Sequence, residues 1–290
     1  MRAPILLLAA AGLAACSTVP ADDATQPVAL SFELTSAGRP AVCGKPLGPL
    51  GTAKTAAKLH DARFYVQDVA LLDAAGKATP VKLTQNQWQN GPTALLDFED
   101  ASGGCVGTPA LNTAVVGMVP PGKYVGASFT VGVPPAQNHS SVEKAGAPLD
   151  SAAMNWSWQT GRKFTKIEVD PKGGVRKPDG TKAPTWFLHL GSTECAGNPA
   201  KGETALCKRS NRVPVAFPAF DPATQAVRLD LASLFAASNI AKDQGAAVGC
   251  MSGPTDADCP PVFGRLGLSL ETGLPVEPGK SPAFTAVKKP

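Results

Sequence analysis

The sequence contains few of the residues from which most catalytic sites are built. It has 290 residues, of which three are histidine, four are tryptophan and two are tyrosine. The G-x-S-x-G, H-E-x-x-H, P-loop and Rossmann G-x-G-x-x-G motifs are all absent. So are C-x-x-C-H, which attaches haem, and C-x-x-C, which is typical of redox and zinc-ribbon sites. These absences predict that the chain is not an enzyme.

Long apolar runs are also missing, because no segment approaches the roughly 20 residues that a membrane-spanning helix needs. The N-terminal segment "MRAPILLLAAAGLAAC" instead has the layout of a secretory signal over residues 1–15. Its last four residues match the bacterial lipobox, which predicts lipidation of Cys16 and a membrane anchor. Ser17 after the cysteine points to the outer membrane, on the periplasmic side of the envelope or at the cell surface.

A strong charge of either sign is lacking as well. The formal net charge is +4, and no basic run resembles a nucleic-acid footprint, so we expect no nucleic-acid partner. Glycine (29 residues) and proline (28) are abundant, yet 43% of the residues are hydrophobic, which favours a loop-rich β protein over a disordered linker.

The cysteines that follow Cys16 are even in number, as expected for disulfides in an exported protein. They are Cys43, Cys105, Cys195, Cys207, Cys250 and Cys259. The preferred pairing joins the two local pairs, Cys195–Cys207 and Cys250–Cys259, and leaves Cys43–Cys105. Other connectivities, and ligation of a metal by thiolates, remain open.

Short alternating segments predict an all-β, antiparallel, sandwich-like fold that is loop-rich, stapled by disulfides and carries one short helix. The segments are "VALSFELTS", "ARFYVQDVALLD", "GKYVGASFTVGV", "KFTKIEVDP", "TWFLHLGST", "AVRLDL" and, as the last strand, "FGRLGLSLET". The helix is predicted in "ASLFAASNIA". We expect a polar tether at residues 16–28, one β domain at 29–275 and a Pro-rich, partly frayed tail at 276–290.

The stretch "MNWSWQTGRKF" holds two of the four tryptophans and lies shortly after "PPAQNHS", which carries His139. In an extended strand Met154, Trp156 and Trp158 would share one face. That face is either a core stripe or the wall of a site with imidazole and thioether ligands, which suit copper. His189 and His60 are the other imidazoles, and each could equally be a hydrogen-bonded structural residue.

The ordered segments "RFYVQDV", "LLDFED", "PPGKYVGASFTVGVP", "NH", "MNWSWQTGRKF" and "FLHLGSTEC" resemble the MbnP-like copper-binding proteins, also called the four-Cys proteins of the metallo-mystery pair. The resemblance spans about residues 28–272. It implies an exported copper protein in copper acquisition or homeostasis. It also implies a partner, a dihaem MauG-like cytochrome c peroxidase, which oxidises a tryptophan to kynurenine.

Transferred to this sequence, the resemblance implies His139 and His189 as copper ligands, Met154 as a weaker ligand and His60 as a lesser candidate. It implies Trp156 or Trp158 as the modified residue and leaves that choice open. Arg162 departs from the family, where an aromatic is frequent, and the chain has two cysteines more than four.

Two other functions fit the same residues. One is a structural β-sandwich lipoprotein without metal, in which histidine and tryptophan are only packed. The other is a carbohydrate-binding module that uses exposed tryptophans as stacking platforms.

Overall fold

The computed structural model describes residues 24–156, 161–198, 203 and 206–289. The predicted signal segment, Cys16 and Trp158 lie outside these ranges. The protein is mostly strands (43%) with few helices (9%), so the predicted all-β class is confirmed.

The strands are numbered in chain order. Up to residue 131 they are β1 Gln26–Ser36, β2 Arg39–Pro40, β3 Pro46–Leu50, β4 Thr55–Leu72, β5 Ala78–Pro80, β6 Lys82–Leu83, β7 Gln89–Asn90, β8 Thr93–Asp97, β9 Ala114–Val119 and β10 Gly126–Val131. Beyond it they are β11 Asn155–Trp156, β12 Gly161–Arg162, β13 Thr165–Pro171, β14 Val175–Arg176, β15 Lys182–Ala183, β16 Trp186–Leu190, β17 Thr193–Ala196, β18 Leu206–Arg209, β19 Val213–Phe217, β20 Gln225–Asp230, β21 Gly249–Cys250 and β22 Phe284–Lys288.

The first large sheet runs in the order β22-β20-β1-β9-β6, with β2 added to β1. Leu30, Phe32 and Leu34 of β1 are all buried, as the alternation of the sequence predicts. Strand β1 pairs antiparallel with β9 and parallel with β20, so the sheet is mixed rather than purely antiparallel.

The second large sheet runs β19-β10-β4-β13-β16-β21, with β3, β5 and β8 paired to β4 and β7 paired to β8. The central strand β4 is buried on both faces. Phe64 and Val66 point into the main core between the sheets, whereas Tyr65 belongs to a second cluster on the outer face. This outer face matters for function, because it also carries the histidine His189.

Aromatic contacts join the two sheets. Phe32 of the first sheet meets Phe129 of the second edge to face, with ring centroids 5.3 Å apart. Phe284 contacts Phe64 across the same interface at 5.9 Å. Such pairs stabilise beyond their burial by about 0.5–1.5 kcal/mol each, so the sandwich has a packed aromatic centre.

Among the described residues the helices are short: α1 Pro135–Asn138, α2 Val142–Ala145, α3 Leu231–Leu234 and α4 Cys259–Leu266, with a 3₁₀ turn at Ala152–Met154. The predicted helix in "ASLFAASNIA" is only the single turn α3. None of them has the length and apolar character required to span a bilayer.

Two sequence-based boundaries were wrong. "FGRLGLSLET" does not form the last strand, because its start lies in helix α4, where Pro260 and Pro261 favour the first helical turn. The helix ends at Gly267, which has φ of 78°. The tail at 276–290 contains β22, which pairs with β20 and buries Phe284 in the core.

The disulfides have the preferred pairing. They are Cys43–Cys105, Cys195–Cys207 and Cys250–Cys259. Cys195 and Cys207 lie directly opposite each other in the separate hairpin β17–β18.

Candidate metal centre around Trp156

The segment "MNWSWQTGRKF" does not form the predicted continuous strand. Met154 ends a 3₁₀ turn, and the two residues that follow it, Asn155 and Trp156, are extended and paired with Arg162 and Gly161 of β12. The expected shared face of Met154 and Trp156 is therefore wrong, because a 3₁₀ turn does not keep the alternation of a strand.

Met154 is a core residue. It is fully buried in the outer-face cluster with Tyr65, Leu95, Val133, Leu149 and Phe164. Its thioether thus fills a packed apolar cluster, a common role for methionine.

Arg162 of β12 anchors the loop that contains His139 to the hairpin β11–β12. Its side chain is 1% exposed, and its guanidinium donates to the carbonyls of Gln137 (2.5 Å), Asn138 (2.8 Å), Ser140 (3.0 Å) and Leu149 (2.8 Å). A planar guanidinium with five N–H donors suits such a cluster of carbonyls. The departure from the family noted in the sequence is therefore a structural anchor.

Asn138 sets the tautomer of His139. The backbone N–H of Arg162 donates to Oδ1 of Asn138, so the Nδ2 amide of Asn138 faces the imidazole and lies 3.0 Å from Nε2 of His139. Because Nδ2 can only donate, Nε2 of His139 carries a lone pair, the form that binds a metal. The same Nε2 lies 3.3 Å from Sγ of Cys207.

His189 lies on the outer face of the second sheet, in a row with Arg63 and Lys166 of the neighbouring strands. It is 7% exposed, and its Nε2 donates to Oε1 of Glu168 at 2.6 Å. Burial lowers the pKa of His189, although the hydrogen bond to Glu168 opposes the shift. The neutral ring therefore has its lone pair on Nδ1, and the carboxylate of Glu168 orients the ring.

Charges along the outer face are paired. Burial would raise the pKa of Glu168, but the hydrogen bond from His189 and the charge of Lys166 hold it at about 2. Nζ of Lys166 lies 3.0 Å from Oε1 of Glu168 and also contacts Asp61. Asp61 in turn accepts a hydrogen bond from Nε of Arg63 at 2.8 Å. Buried charges need such partners, since an unpaired ion in the interior is costly.

His60 reaches the other side of Glu168. Its Nε2 lies 3.8 Å from Oε2 of Glu168, and its Nδ1 lies 3.1 Å from Asp170. Strands β4 and β13 shift register by one residue at this point, which turns His60 toward the charged face. His60 is thus a neighbour of the His189–Glu168 pair.

Trp156 is connected to the surroundings of both predicted histidine ligands through two glycines. It opposes Gly161, and a Cβ on Gly161 would come within 3.1 Å of Cε1 of His139. At its other end the indole covers Gly191, where a Cβ would lie 2.3 Å from Cζ3 of Trp156. Gly191 comes two residues after His189, so alternation places His189 on that face about 7 Å along the chain.

The other described tryptophans have ordinary surroundings. Trp186 is fully buried against Phe235, with ring centroids 5.3 Å apart. Trp88 is half-buried beside a cavity of about 260 Å³. A larger cleft of about 590 Å³ is lined by Phe32, Leu34 and Phe98 and has no tryptophan in its wall. A row of exposed stacking platforms does not exist among the described residues.

The arrangement offers two imidazoles, those of His139 and His189, as candidate ligands near Trp156. Imidazole nitrogen suits copper, among other transition metals. His139, Cys195 and Cys207 also form a group whose potential ligand atoms all lie within 4.8 Å of one another. Sequence reasoning missed Glu168, Asn138 and Gly191, because their roles depend on pairings between distant segments.

Known proteins resemble this chain along most of its length. The model of the MbnP family matches residues 25–252. Among solved structures, MbnP from Methylosinus trichosporium is 50% identical and superposes with a TM-score of 0.87, covering 91% of this chain and 99% of that chain. No curated protein matches. The matched residues include both His139 and His189.

Proposed function

Because the chain belongs to the MbnP family, which is associated with methanobactin, with copper and with the periplasm or cell exterior, we propose that it binds copper at a centre between His139 and His189. The observation that supports this proposal most directly is the position of Trp156 in the fold. Its backbone pairs with Gly161, whose Cβ position adjoins His139, and its indole covers Gly191, two residues after His189.

The ligand atoms are Nε2 of His139 and Nδ1 of His189. The hydrogen bond from Nε2 of His189 to Glu168 leaves the lone pair of that ring on Nδ1. In the metal-free protein the lone pair on Nε2 of His139 accepts from Nδ2 of Asn138, so copper binding at this atom displaces that hydrogen bond. Met154 is assigned to packing, since it is enclosed in an apolar cluster.

Trp156 is the residue that becomes modified in this proposal. An intact indole N–H only donates hydrogen bonds and is a poor ligand. With hydrogen peroxide as the oxidant, a dihaem MauG-like partner would insert one oxygen atom at C2 and one at C3 and cleave the bond between them, so that two peroxides are reduced to water and N-formylkynurenine forms. Hydrolysis by one water would then release formate and leave kynurenine. Its aryl amine and carbonyl would supply donor atoms in addition to the two imidazoles.

The protein acts as a binding protein rather than an enzyme, in copper acquisition or homeostasis. Its N-terminal segment directs export, and acylation at Cys16 anchors it to the envelope, most naturally the outer membrane. The acyl chains on Cys16 would hold it there stably, since one chain alone binds only marginally.

Metal analysis of the protein purified from its native host, where the haem partner is present, tests the centre. His139→Ala and His189→Ala should each reduce the copper affinity about tenfold or more. Even the loss of a residue that only supports a ligand has an effect of this size. His60→Ala is the matched control and should retain most of the copper.

Mass spectrometry of the same samples locates the oxidation. Kynurenine is expected at Trp156 in the parent protein, and Trp156→Phe should lose copper together with the modification. Copper binding that survives both histidine substitutions, or a kynurenine found at Trp158 with Trp156 intact, contradicts this assignment.

A further inference from the structure

The three disulfides lie in different surroundings. Cys250 and Cys259 are fully buried in the main core, and Cys105 is 7% exposed beside the same core. Cys195 and Cys207 are both half-buried, in the small hairpin β17–β18 whose neighbouring residues Glu194 and Leu206 are exposed. Cys43 is half-buried as well, but its partner Cys105 is buried. Cys195–Cys207 is thus the disulfide in which both cysteines are half-buried, and we expect a reductant to reach it first.

An imidazole adjoins this exposed disulfide. Nε2 of His139 lies 3.3 Å from Sγ of Cys207, and one ring nitrogen of His139 and the two sulfurs all lie within 4.8 Å of one another. In the metal-free protein the lone pair of Nε2 accepts from Nδ2 of Asn138, a hydrogen bond that a bound metal displaces. A nitrogen donor and two sulfurs are thus held together at one place.

We infer that the Cys195–Cys207 disulfide is reducible and that its reduction opens a Cys₂His site for Cu(I). A dithiol reductant, of the thioredoxin chemical class, attacks one sulfur as a thiolate and forms a mixed disulfide. The Cys195–Cys207 bond breaks, and the second thiol of the reductant releases the protein. Two electrons and two protons pass to the two cysteines, and the reductant leaves as a disulfide. The cysteine thiols then give up their protons to solvent on binding the metal.

The hairpin keeps the two sulfurs together after the bond is broken. Thr193 still pairs with Arg209 on one side of the cysteines, and Ala196 pairs with Leu206 on the other. Arg209 is tied to the body of the protein through its Nε, which donates to the carbonyl of Leu270 at 3.1 Å. Opposite residues of an antiparallel pair share a face, so both thiolates stay next to His139.

Donor chemistry selects the metal. Thiolates are soft ligands that prefer Cu(I), and one imidazole completes a three-coordinate site. With the disulfide intact, these sulfurs are weak donors and His139 serves the centre at Trp156. The inference rests on the proposed function only in that sharing of His139, and the Cys₂His site needs no oxidised tryptophan.

The test uses full-length protein made without the haem partner, so that Trp156 stays intact. It is treated briefly with dithiothreitol, freed of reductant without air, and titrated with Cu(I) against the chromogenic chelator bicinchoninate. Two thiols should appear, at Cys195 and Cys207, and one equivalent of Cu(I) should be withheld from the chelator. The untreated protein should withhold none.

Controls separate this site from the proposed copper centre. His139→Gln should weaken Cu(I) binding by the reduced protein about tenfold or more, whereas His189→Ala should leave it unchanged. Alkylation of the two thiols with iodoacetamide should abolish binding without any substitution, and Cys250 and Cys259 should stay oxidised throughout. If Cys195–Cys207 resists the reductant, or if the reduced protein leaves all Cu(I) with the chelator, the inference is wrong. The proposed function is tested separately, by the copper content of protein purified from the native host. Neither result of the Cu(I) titration changes that test.

Discussion

Asp97 is a buried carboxyl beside other charges. Burial raises its pKa to about 7, with further increases from the nearby Glu99 and Asp61, while the backbone N–H of Glu99 and the charge of Arg63 act in the opposite direction. The folded protein therefore holds a proton on Asp97 at pH values where the unfolded chain has released it. Stability from this group is complete below the ordinary pKa near 4 and is lost as the pH rises through about 7.

Replacing Asp97 with asparagine keeps the shape and removes the titration. We expect the melting temperature of the parent to fall between pH 4 and 7 relative to that of Asp97→Asn, as measured by thermal unfolding across that range. Asp179→Asn, in an exposed turn, is the control and should keep the pH dependence of the parent. Parallel pH profiles for the parent and Asp97→Asn would contradict a raised pKa.

At the scale of elements, the loop of His139 and the hairpin β11–β12 behave as one unit because Arg162 binds four carbonyls. Arg162→Leu leaves these buried acceptors without their donor. An unsatisfied buried acceptor costs about 1–3 kcal/mol, so the free energy of unfolding should drop by about 3 kcal/mol or more. Urea unfolding measures this drop, and copper titration should reveal weaker binding because His139 loses its support.

Arg176→Leu is the matched substitution for that experiment, since Arg176 is an exposed arginine in the small hairpin β14–β15. It should change the free energy of unfolding by no more than about 0.5 kcal/mol. Equal stability for the two variants would mean that the carbonyl cluster of Arg162 does not hold the loop.

Elements with local signals could be predicted from the sequence. Alternation identified β1 and the core of β4, and the short spacing of Cys195–Cys207 and Cys250–Cys259 indicated their pairing. The sequence predicts a strand at Met154, where the structure has a 3₁₀ turn, because such a turn has no strong sequence signature. The alternation in "FGRLGLSLET" predicts a strand where helix α4 ends, and the prolines of the C-terminal segment predict a frayed tail where β22 forms.

The site could be predicted only in part for a related reason. The resemblance to the MbnP-like proteins, and not the composition, implies His139 and His189 as ligands, and both stay predictions. The contact of Glu168 with His189 and His60 cannot be predicted from the sequence. It depends on the register of β13 with β4 and β16, which decides which side chains meet.

At the scale of the molecule, bound copper should stabilise the native state, because the proposed centre brings together residues from separate segments. A ligand that binds only the folded protein adds about 2.7 kcal/mol at a free concentration 100 times its Kd. For a protein of this size that corresponds to a rise in melting temperature of about 5 °C. Calorimetry with and without copper, on protein from the native host, measures the shift.

The double variant His139→Ala/His189→Ala should melt at the same temperature with and without copper. An unchanged melting temperature for the parent in excess copper would argue against a centre that binds the native state, even if metal remains bound to the sample.

The parallel pairing of β1 with β20 sets the order in which the molecule can form. Ser31 pairs with Ala226 and Thr35 with Asp230, so the central strand of the first sheet waits for a partner about 195 residues away along the chain. Closing such a long loop delays folding, and contacts of this kind slow the folding rate. Until β20 arrives, the apolar residues of β1 stay exposed and prone to aggregation. The newly made chain therefore has a long interval in which a holding chaperone would be of use to it.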